Sequence, residues 1–174
     1  KTAGFDRHLT LDGVRAATFS SRKDKIALYT GNDDNIVNDL ITPFSFQKDG
    51  RTYENRFVGG LLGHWAVWTA TVVKMFRELK QAVEGDALDS AWLTLAAQIT
   101  DANSAFFDTA NNFKGCIAGV HEVLRRQGLM KGIWCLNPAE TLSPGQSAEI
   151  DRVWSMYPHL NDDAFVKEFL AEEA

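Results

Sequence analysis

Two short apolar runs, each followed by a turn and an amphipathic helix, constrain the fold of this chain more than any other feature. The first run covers residues 26–29 and precedes a helix over residues 33–41. The second covers residues 57–62 and precedes a helix that begins at about Thr69. A repeated strand-then-helix order is typical of a parallel sheet covered by helices. The sequence therefore predicts an α/β protein.

The pattern changes after Gly85, where the remaining apolar residues recur only at helical spacing. Two strand-helix units do not close a fold, because parallel strands are normally covered on both faces and two of them form neither a barrel nor an adequate sheet. Two alternatives stay open at this point. Either further strands come from residues that precede Lys1, or the strand predictions are wrong.

Composition narrows the class of protein. With 174 residues, of which 45% are hydrophobic and 24% charged, the chain is long enough to bury one core. The formal net charge of −5 and the scattered Lys and Arg argue against a nucleic-acid partner. No apolar run reaches the roughly 18–20 residues that span a bilayer, so we expect no membrane and a cytoplasmic location. Cys116 and Cys135 lie in apolar stretches and are predicted to be buried thiols, with a disulfide between them left open.

Four short motifs occur in a suggestive order. Lys1 comes first, then Leu-Tyr-Thr-Gly-Asn-Asp-Asp at residues 28–34, then Gly-Gly-Leu-Leu-Gly-His at residues 59–64, then Phe-Lys-Gly at residues 113–115 before a helix that ends in Gly-Leu. This order resembles the second half of the dihydrodipicolinate synthase and N-acetylneuraminate lyase family. In that family the Schiff-base lysine ends the sixth barrel strand, Tyr-x-Gly-x-Asp-Asp ends the seventh, a glycine-rich turn follows the eighth, and a helical extension completes the chain.

The resemblance implies the C-terminal part of a (β/α)8 TIM barrel followed by a C-terminal helical extension. Residues 1–85 would be the last βα repeats and residues 86–174 the extension. The implied activity is that of a class I, Schiff-base-forming lyase or aldolase, or a dehydratase, which acts on a 2-keto acid such as pyruvate or a sugar-derived keto acid. It implies no cofactor, a homo-oligomer (dimer or tetramer), and activity only together with the upstream N-terminal barrel segment.

The chain departs from the family pattern at three places. Lys-Thr-Ala-Gly stands at residues 1–4 instead of Lys-Glu-Ala or Lys-Asp-Ser, and Gly63 stands where the family often has a serine that contacts substrate. Residues 44–56 form an insertion, which we expect to serve stability or oligomer contacts. These departures put the substrate in doubt more than the class of reaction.

The resemblance makes Lys1 the catalytic residue, since its amine would condense with the keto group to form an imine. Such an amine must be partly neutral, and burial lowers the pKa of a lysine. Gly31 would allow close approach of the backbone to substrate, and Asn32, Asp33 and Asp34 would bind its hydroxyl groups. The alternatives are that Lys1 is merely an exposed first residue and that Asp33 or Asp34 caps a helix.

Gly63 and His64 complete the predicted substrate-binding set. His64 would bind a carboxylate or hydroxyl group, or else it is packed and hydrogen-bonded beside Trp65. The alternative for Gly63 is close packing where barrel strands curve. No set of His, Cys and carboxylate residues has metal-ligand spacing, so no metal is predicted. Two other functions stay open: a self-contained helical interaction module and a catalytically dead barrel homologue.

Overall fold

The computed structural model describes residues 1–61, 63–85 and 87–172 of the chain. Its elements form a mixed α/β arrangement in which helices predominate. The strands are β1 (Leu28–Thr30), β2 (Phe44–Lys48), β3 (Arg51–Asn55) and β4 (Phe57–Gly60). The helices are α1 (Arg7–Thr18), α2 (Ile36–Ile41), α3 (Thr69–Ala82), α4 (Ala91–Phe107), α5 (Cys116–Arg126), α6 (Gln146–Met156) and α7 (Asp163–Glu172).

The chain divides into two compact units. The first, here called the strand unit, comprises Lys1–Leu62 and Ala82–Ala96. The second, here called the helical unit, comprises Gly63–Gln81 and Ala97–Ala174. The sequence predicts a boundary between residues 85 and 86, and this boundary stays a prediction.

Parallel pairing organises the strand unit. Strand β1 pairs in parallel with β4, and its other side bridges to Thr2, also in parallel, through Thr30. The amide of Thr2 donates to the Tyr29 carbonyl at 2.8 Å, and the amide of Gly31 donates to the Thr2 carbonyl at 2.6 Å. Three chain segments therefore run side by side in the order Thr2, β1, β4, with their carboxyl ends at the same edge.

A β-hairpin occupies the predicted insertion. Strands β2 and β3 pair antiparallel over five residues each, and Asp49 and Gly50 at the tip both have positive φ, at 51° and 72°. This is the backbone that a tight two-residue hairpin turn requires. Phe19, at the end of α1, packs against Phe46 and Tyr53 of the hairpin with ring centroids 6.0 and 5.5 Å apart. The hairpin thus contributes to the core of the strand unit.

The helical unit has a core of its own. Its fully buried side chains include Trp68, Phe106, Val123, Ile150 and Val153. Helix α5 ends as predicted before Gly128, whose φ of 82° lets the chain turn back so that the Leu129 amide donates to the Leu124 carbonyl. Helices α3, α5 and α6 each bury apolar residues: Val72, Met75 and Leu79 in α3, Ala118 and Val123 in α5, and Ile150 and Val153 in α6.

The mixed α/β class predicted from the alternating pattern is confirmed; β1 overlaps the first apolar run and extends one residue beyond it, and β4 falls within the second. The prediction that both thiols are buried is wrong. No disulfide joins Cys116 and Cys135, and both are only half-buried. None of the described helices combines the length and the apolar character needed to cross a membrane.

Candidate functional site

Lys1 lies directly against Gly31 in the strand unit. The two are brought together because Thr2 pairs in parallel with Thr30, so that the side chain of Lys1, which precedes Thr2, reaches along the adjacent segment to Gly31, which follows Thr30. A Cβ atom on residue 31 would overlap the Cε of Lys1, lie 3.3 Å from its Nζ and lie 2.9 Å from the Cβ of Ala3. The absence of a side chain at Gly31 is therefore what leaves room for the lysine.

The amine of Lys1 does not have the surroundings that the imine hypothesis requires. Lys1 as a whole is exposed, whereas Gly31 beneath it is buried. Attack on a keto carbon requires a neutral amine, and enclosure away from water favours that form. The described part of the strand unit thus supplies a backbone wall for the lysine but does not enclose it.

Asn32 is buried and takes part in a network of polar side chains. Its amide donates to the Thr10 hydroxyl at 3.1 Å and to the Asp39 carboxylate at 2.9 Å, while its side-chain oxygen accepts from the Phe5 amide at 3.3 Å. Asn32 itself is 1% exposed. These bonds use both kinds of polar atom on the side chain, so Asn32 shapes the turn after β1 from within the protein.

Asp33 and Asp34 differ in their surroundings. Asp33 is 4% exposed, whereas Asp34 is exposed. Burial, and to a smaller extent the negative charge of Asp34, raises the pKa of the Asp33 carboxyl above its ordinary value, against hydrogen bonds from backbone amides that lower it. Of the predicted hydroxyl-binding carboxylates, Asp34 is therefore the one that reaches solvent.

Gly63 and His64 belong to the helical unit, where aromatic rings surround the imidazole. His64 is 1% exposed, and its ring lies edge-on to Trp68 and Phe106, with centroids 5.5 and 5.7 Å away. Its backbone amide donates to the side-chain oxygen of Asn103 at 2.8 Å, and its Nδ1 lies 2.7 Å from the same oxygen. Burial lowers the pKa of His64 to about 4, against a smaller opposing effect of the Asn103 hydrogen bond.

Gly63 is required by the same arrangement. Its φ is 69°, and a Cβ atom there would overlap the side-chain amide of Asn103, with Nδ2 only 2.6 Å away. A serine at this position would displace the asparagine that holds His64. The surroundings of Gly63 and His64 within their unit are those of a packed, hydrogen-bonded histidine.

Comparisons with known proteins do not assign this chain to a family. No family model, curated protein or solved structure matches it. The family resemblance therefore rests on the sequence motifs alone.

Two cavities open in the helical unit. One, of about 250 Å³, is apolar and lies between the start of α3, the end of α5 and α7. The other, of about 340 Å³, is more polar and lies beside Asp108 and the start of α6. Neither is lined by a predicted site residue. Within residues 1–61, 63–85 and 87–172, no group of three or more His, Cys, Asp or Glu side chains is placed to hold a metal ion.

Sequence reasoning missed Asp39, which the structure places at the centre of the network under Gly31. Its carboxylate is fully buried and accepts from the Thr30 hydroxyl at 2.5 Å, from Asn32 and from the Arg7 guanidinium. A signal was present, because Asp39 falls three residues after Ile36 and therefore on the apolar face of α2. A carboxylate at such a position needs several donors to be stable there.

Proposed function

We propose that this chain is the C-terminal, lysine-bearing part of a (β/α)8-barrel lyase or aldolase that forms a Schiff base with a 2-keto acid. Pyruvate or a sugar-derived keto acid is the substrate class that the resemblance implies. The single observation that carries the proposal is the close approach of the Lys1 side chain to the Gly31 backbone, directly after the carboxyl end of β1.

The edge itself supports this reading. In barrels and open parallel sheets the catalytic groups lie at the carboxyl ends of the strands, where loops from neighbouring strands meet. Gly31 directly follows β1 and lies at that edge, and the side chain of Lys1 reaches it from the adjacent segment.

The chemistry assigns roles to the residues of the strand unit. A neutral Lys1 amine attacks the keto carbon, water leaves, and the resulting protonated imine withdraws electrons from the adjacent carbon–carbon bond. Because Lys1 is exposed here, the proposal assigns its enclosure to the barrel repeats that would precede it in the full-length protein. Gly31 provides the wall of the pocket, and Asp34 is assigned to substrate hydroxyl groups.

Borohydride trapping tests the proposal. The natural full-length protein that contains this sequence is incubated with pyruvate and with longer 2-keto acids, reduced with borohydride, digested and analysed by mass spectrometry. We expect a reduced adduct on the side chain of Lys1 and its loss in Lys1→Arg, which keeps the charge but forms no stable imine. An adduct that persists in Lys1→Arg, or none with any keto acid, would overturn the proposal.

A second variant tests the pocket wall without removing the amine. Gly31→Ala places a methyl group where the Cε of Lys1 lies, and the flexible lysine is expected to move aside. The trapping rate should fall about tenfold or more, since small displacements of reacting groups cost factors of that size. Gly13→Ala is the matched control, because Gly13 is exposed on α1 and a Cβ there meets only the Thr2 hydroxyl, at 3.9 Å.

The two alternatives predict different outcomes of the same experiments. A catalytically dead barrel homologue would fold and assemble with its upstream repeats but give no adduct. A self-contained helical module would give no adduct, either as the unchanged protein or as Gly31→Ala. An adduct on Lys1 that depends on Gly31 is expected only from the enzyme.

A further inference from the structure

The buried carboxylate of Asp39 has no partner of its own on α2. It is 0% exposed and accepts hydrogen bonds from three other parts of the strand unit: Arg7 on α1, Thr30 at the end of β1 and Asn32 in the turn that follows. The neighbours of Asp39 on α2 that are also buried are Ile36, Val37, Leu40 and Ile41. A charged group has thus been placed in an otherwise apolar helix face.

Such a placement is unfavourable for stability alone. Removing a carboxylate from water costs several kcal/mol unless hydrogen bonds compensate, and an apolar residue of similar volume is often equally stable or more so. What a fully satisfied buried network does provide is one fixed arrangement of the groups that it joins. The groups that Asp39 joins therefore indicate its role.

Two of those groups flank Gly31 in the sequence. The Thr30 hydroxyl and the Asn32 amide both donate to the same oxygen of Asp39, at 2.5 and 2.9 Å, and the Asn32 backbone amide donates back to the Thr30 hydroxyl at 3.2 Å. The Gly31 amide donates to the Thr2 carbonyl at 2.6 Å. Hydrogen bonds to Asp39 therefore fix the residues on either side of Gly31. The Gly31 amide itself is hydrogen-bonded to the segment that carries Lys1.

We propose that Asp39 is a positioning residue for Lys1, which fixes Thr30 and Asn32 and so holds the Gly31 backbone as the wall that directs the lysine amine. This inference rests on the proposed Schiff-base function. Asp39 acts through the turn and not on the substrate. Its removal should slow imine formation while leaving the affinity for the keto acid nearly unchanged.

Four variants of the full-length protein test the inference. Asp39→Asn keeps the volume but cannot accept all three hydrogen bonds. Thr30→Val removes the hydroxyl with little change of shape, and Thr30→Ser restores it. Asp108→Asn is the matched control, because Asp108 is also buried and accepts three hydrogen bonds, from the Gly115 amide, the Asn111 amide group and the Ser143 hydroxyl, but lies in the helical unit.

The measurement is the rate of borohydride-trapped imine formation on Lys1 at increasing pyruvate, at a temperature at which every variant is folded. We expect the rate at saturating pyruvate to fall at least tenfold in Asp39→Asn and Thr30→Val, with half-saturation changed less than twofold. Thr30→Ser should recover most of the rate. Asp108→Asn should keep the rate even where it lowers the unfolding midpoint as much as Asp39→Asn does.

The outcomes separate the two proposals. If the unchanged protein forms no adduct on Lys1, the proposed function fails and this inference fails with it. If the unchanged protein forms the adduct but Asp39→Asn and Thr30→Val keep their rates within twofold, only the positioning role is overturned. Equal loss of rate in Asp108→Asn would also overturn it. Should Asp39→Asn fail to fold, the Thr30→Val and Thr30→Ser pair decides the question.

Discussion

The turn after β1 and the turn that opens the helical unit look alike in sequence but not in structure. Each has a glycine followed by polar or ionisable residues, Gly31-Asn32 in one and Gly63-His64 in the other. In the strand unit, Gly31 makes room for a lysine and Asn32 joins a polar network. In the helical unit, Gly63 makes room for Asn103 and His64 is enclosed by aromatic rings. A glycine at such a turn therefore indicates that another side chain packs closely against the backbone, but it does not identify that side chain.

Removing an aromatic ring around His64 is expected to have the largest effect. Phe106 is 0% exposed, and its ring lies 4.8 Å from that of Trp68. Phe106→Ala should lower the free energy of unfolding by about 3–5 kcal/mol, as large-to-small core changes do. Urea unfolding measures it, with Phe165→Ala as control because Phe165 is 57% exposed. If Phe106→Ala lowers the free energy of unfolding no more than the control does, the interpretation of His64 as a packed, structural residue is wrong.

The titration of His64 should give the next largest effect. Its folded-state pKa of about 4 lies below the ordinary value of 6.5, so the unfolded chain binds the proton more readily. Stability is therefore lost as the pH falls from about 6.5 to about 4, by up to about 3 kcal/mol in total.

His64→Gln should lack this loss. The difference in unfolding free energy between the variant and the unchanged protein should be constant above about pH 7 and shift in favour of the variant below about pH 6. Urea unfolding at closely spaced pH values measures both curves. Parallel curves from pH 7 to pH 4 would show that the histidine is hydrated and protonates normally, and the contrast between the two turns would then disappear.

The same substitution in one helix of each unit should have opposite signs. Gly119 on α5 is buried, and a Cβ there would overlap the Phe106 carbonyl oxygen and lie 2.5 Å from the Gln146 amide nitrogen. Gly119→Ala should therefore destabilise by about 1–3 kcal/mol. Gly13→Ala on exposed α1 should stabilise by about 0.5–1 kcal/mol, because alanine is the better helix former. Thermal unfolding of both variants checks the pair; equal signs would contradict it.

The smallest expected effect concerns Asp33. Burial and the charge of Asp34 raise the pKa of Asp33, so its ionisation opposes folding once the pH exceeds the unfolded value of 3.8. Asp33→Asn should be slightly more stable than the unchanged protein at pH 7. That advantage should vanish as the pH falls towards 3.8, which unfolding curves at pH 7 and at pH 3.5 would reveal. An advantage that does not depend on pH would have another cause.

Periodicity predicted the α/β class, the position of β1 to within one residue and the run that contains β4, because burial of an apolar face determines the spacing of apolar residues in the sequence. The hairpin over β2 and β3 was not predicted. Its alternation of Phe44, Ser45 and Phe46 and its Asp49-Gly50 tip are hairpin signals, but the polar residues between them are equally typical of a loop.

The candidate site was predictable only in part. Lys1 and Gly31 follow from the motif order, yet their contact depends on a bridge between Thr2 and Thr30 that no local pattern encodes. Asp39 was missed because its donors, Arg7, Thr30 and Asn32, are up to 32 residues away in the sequence. Which of two glycine turns would face a lysine and which an asparagine depends on long-range packing of this kind.

The hairpin tip offers a practical opportunity. Residues 48–51 are exposed, nothing lies within 4 Å of a Cβ atom added at Gly50, and Asp49 and Gly50 both have positive φ. Exposed tips of this kind tolerate insertions well. A fluorophore or affinity tag attached there would report on the folding and assembly of the strand unit without touching the edge where Lys1 lies.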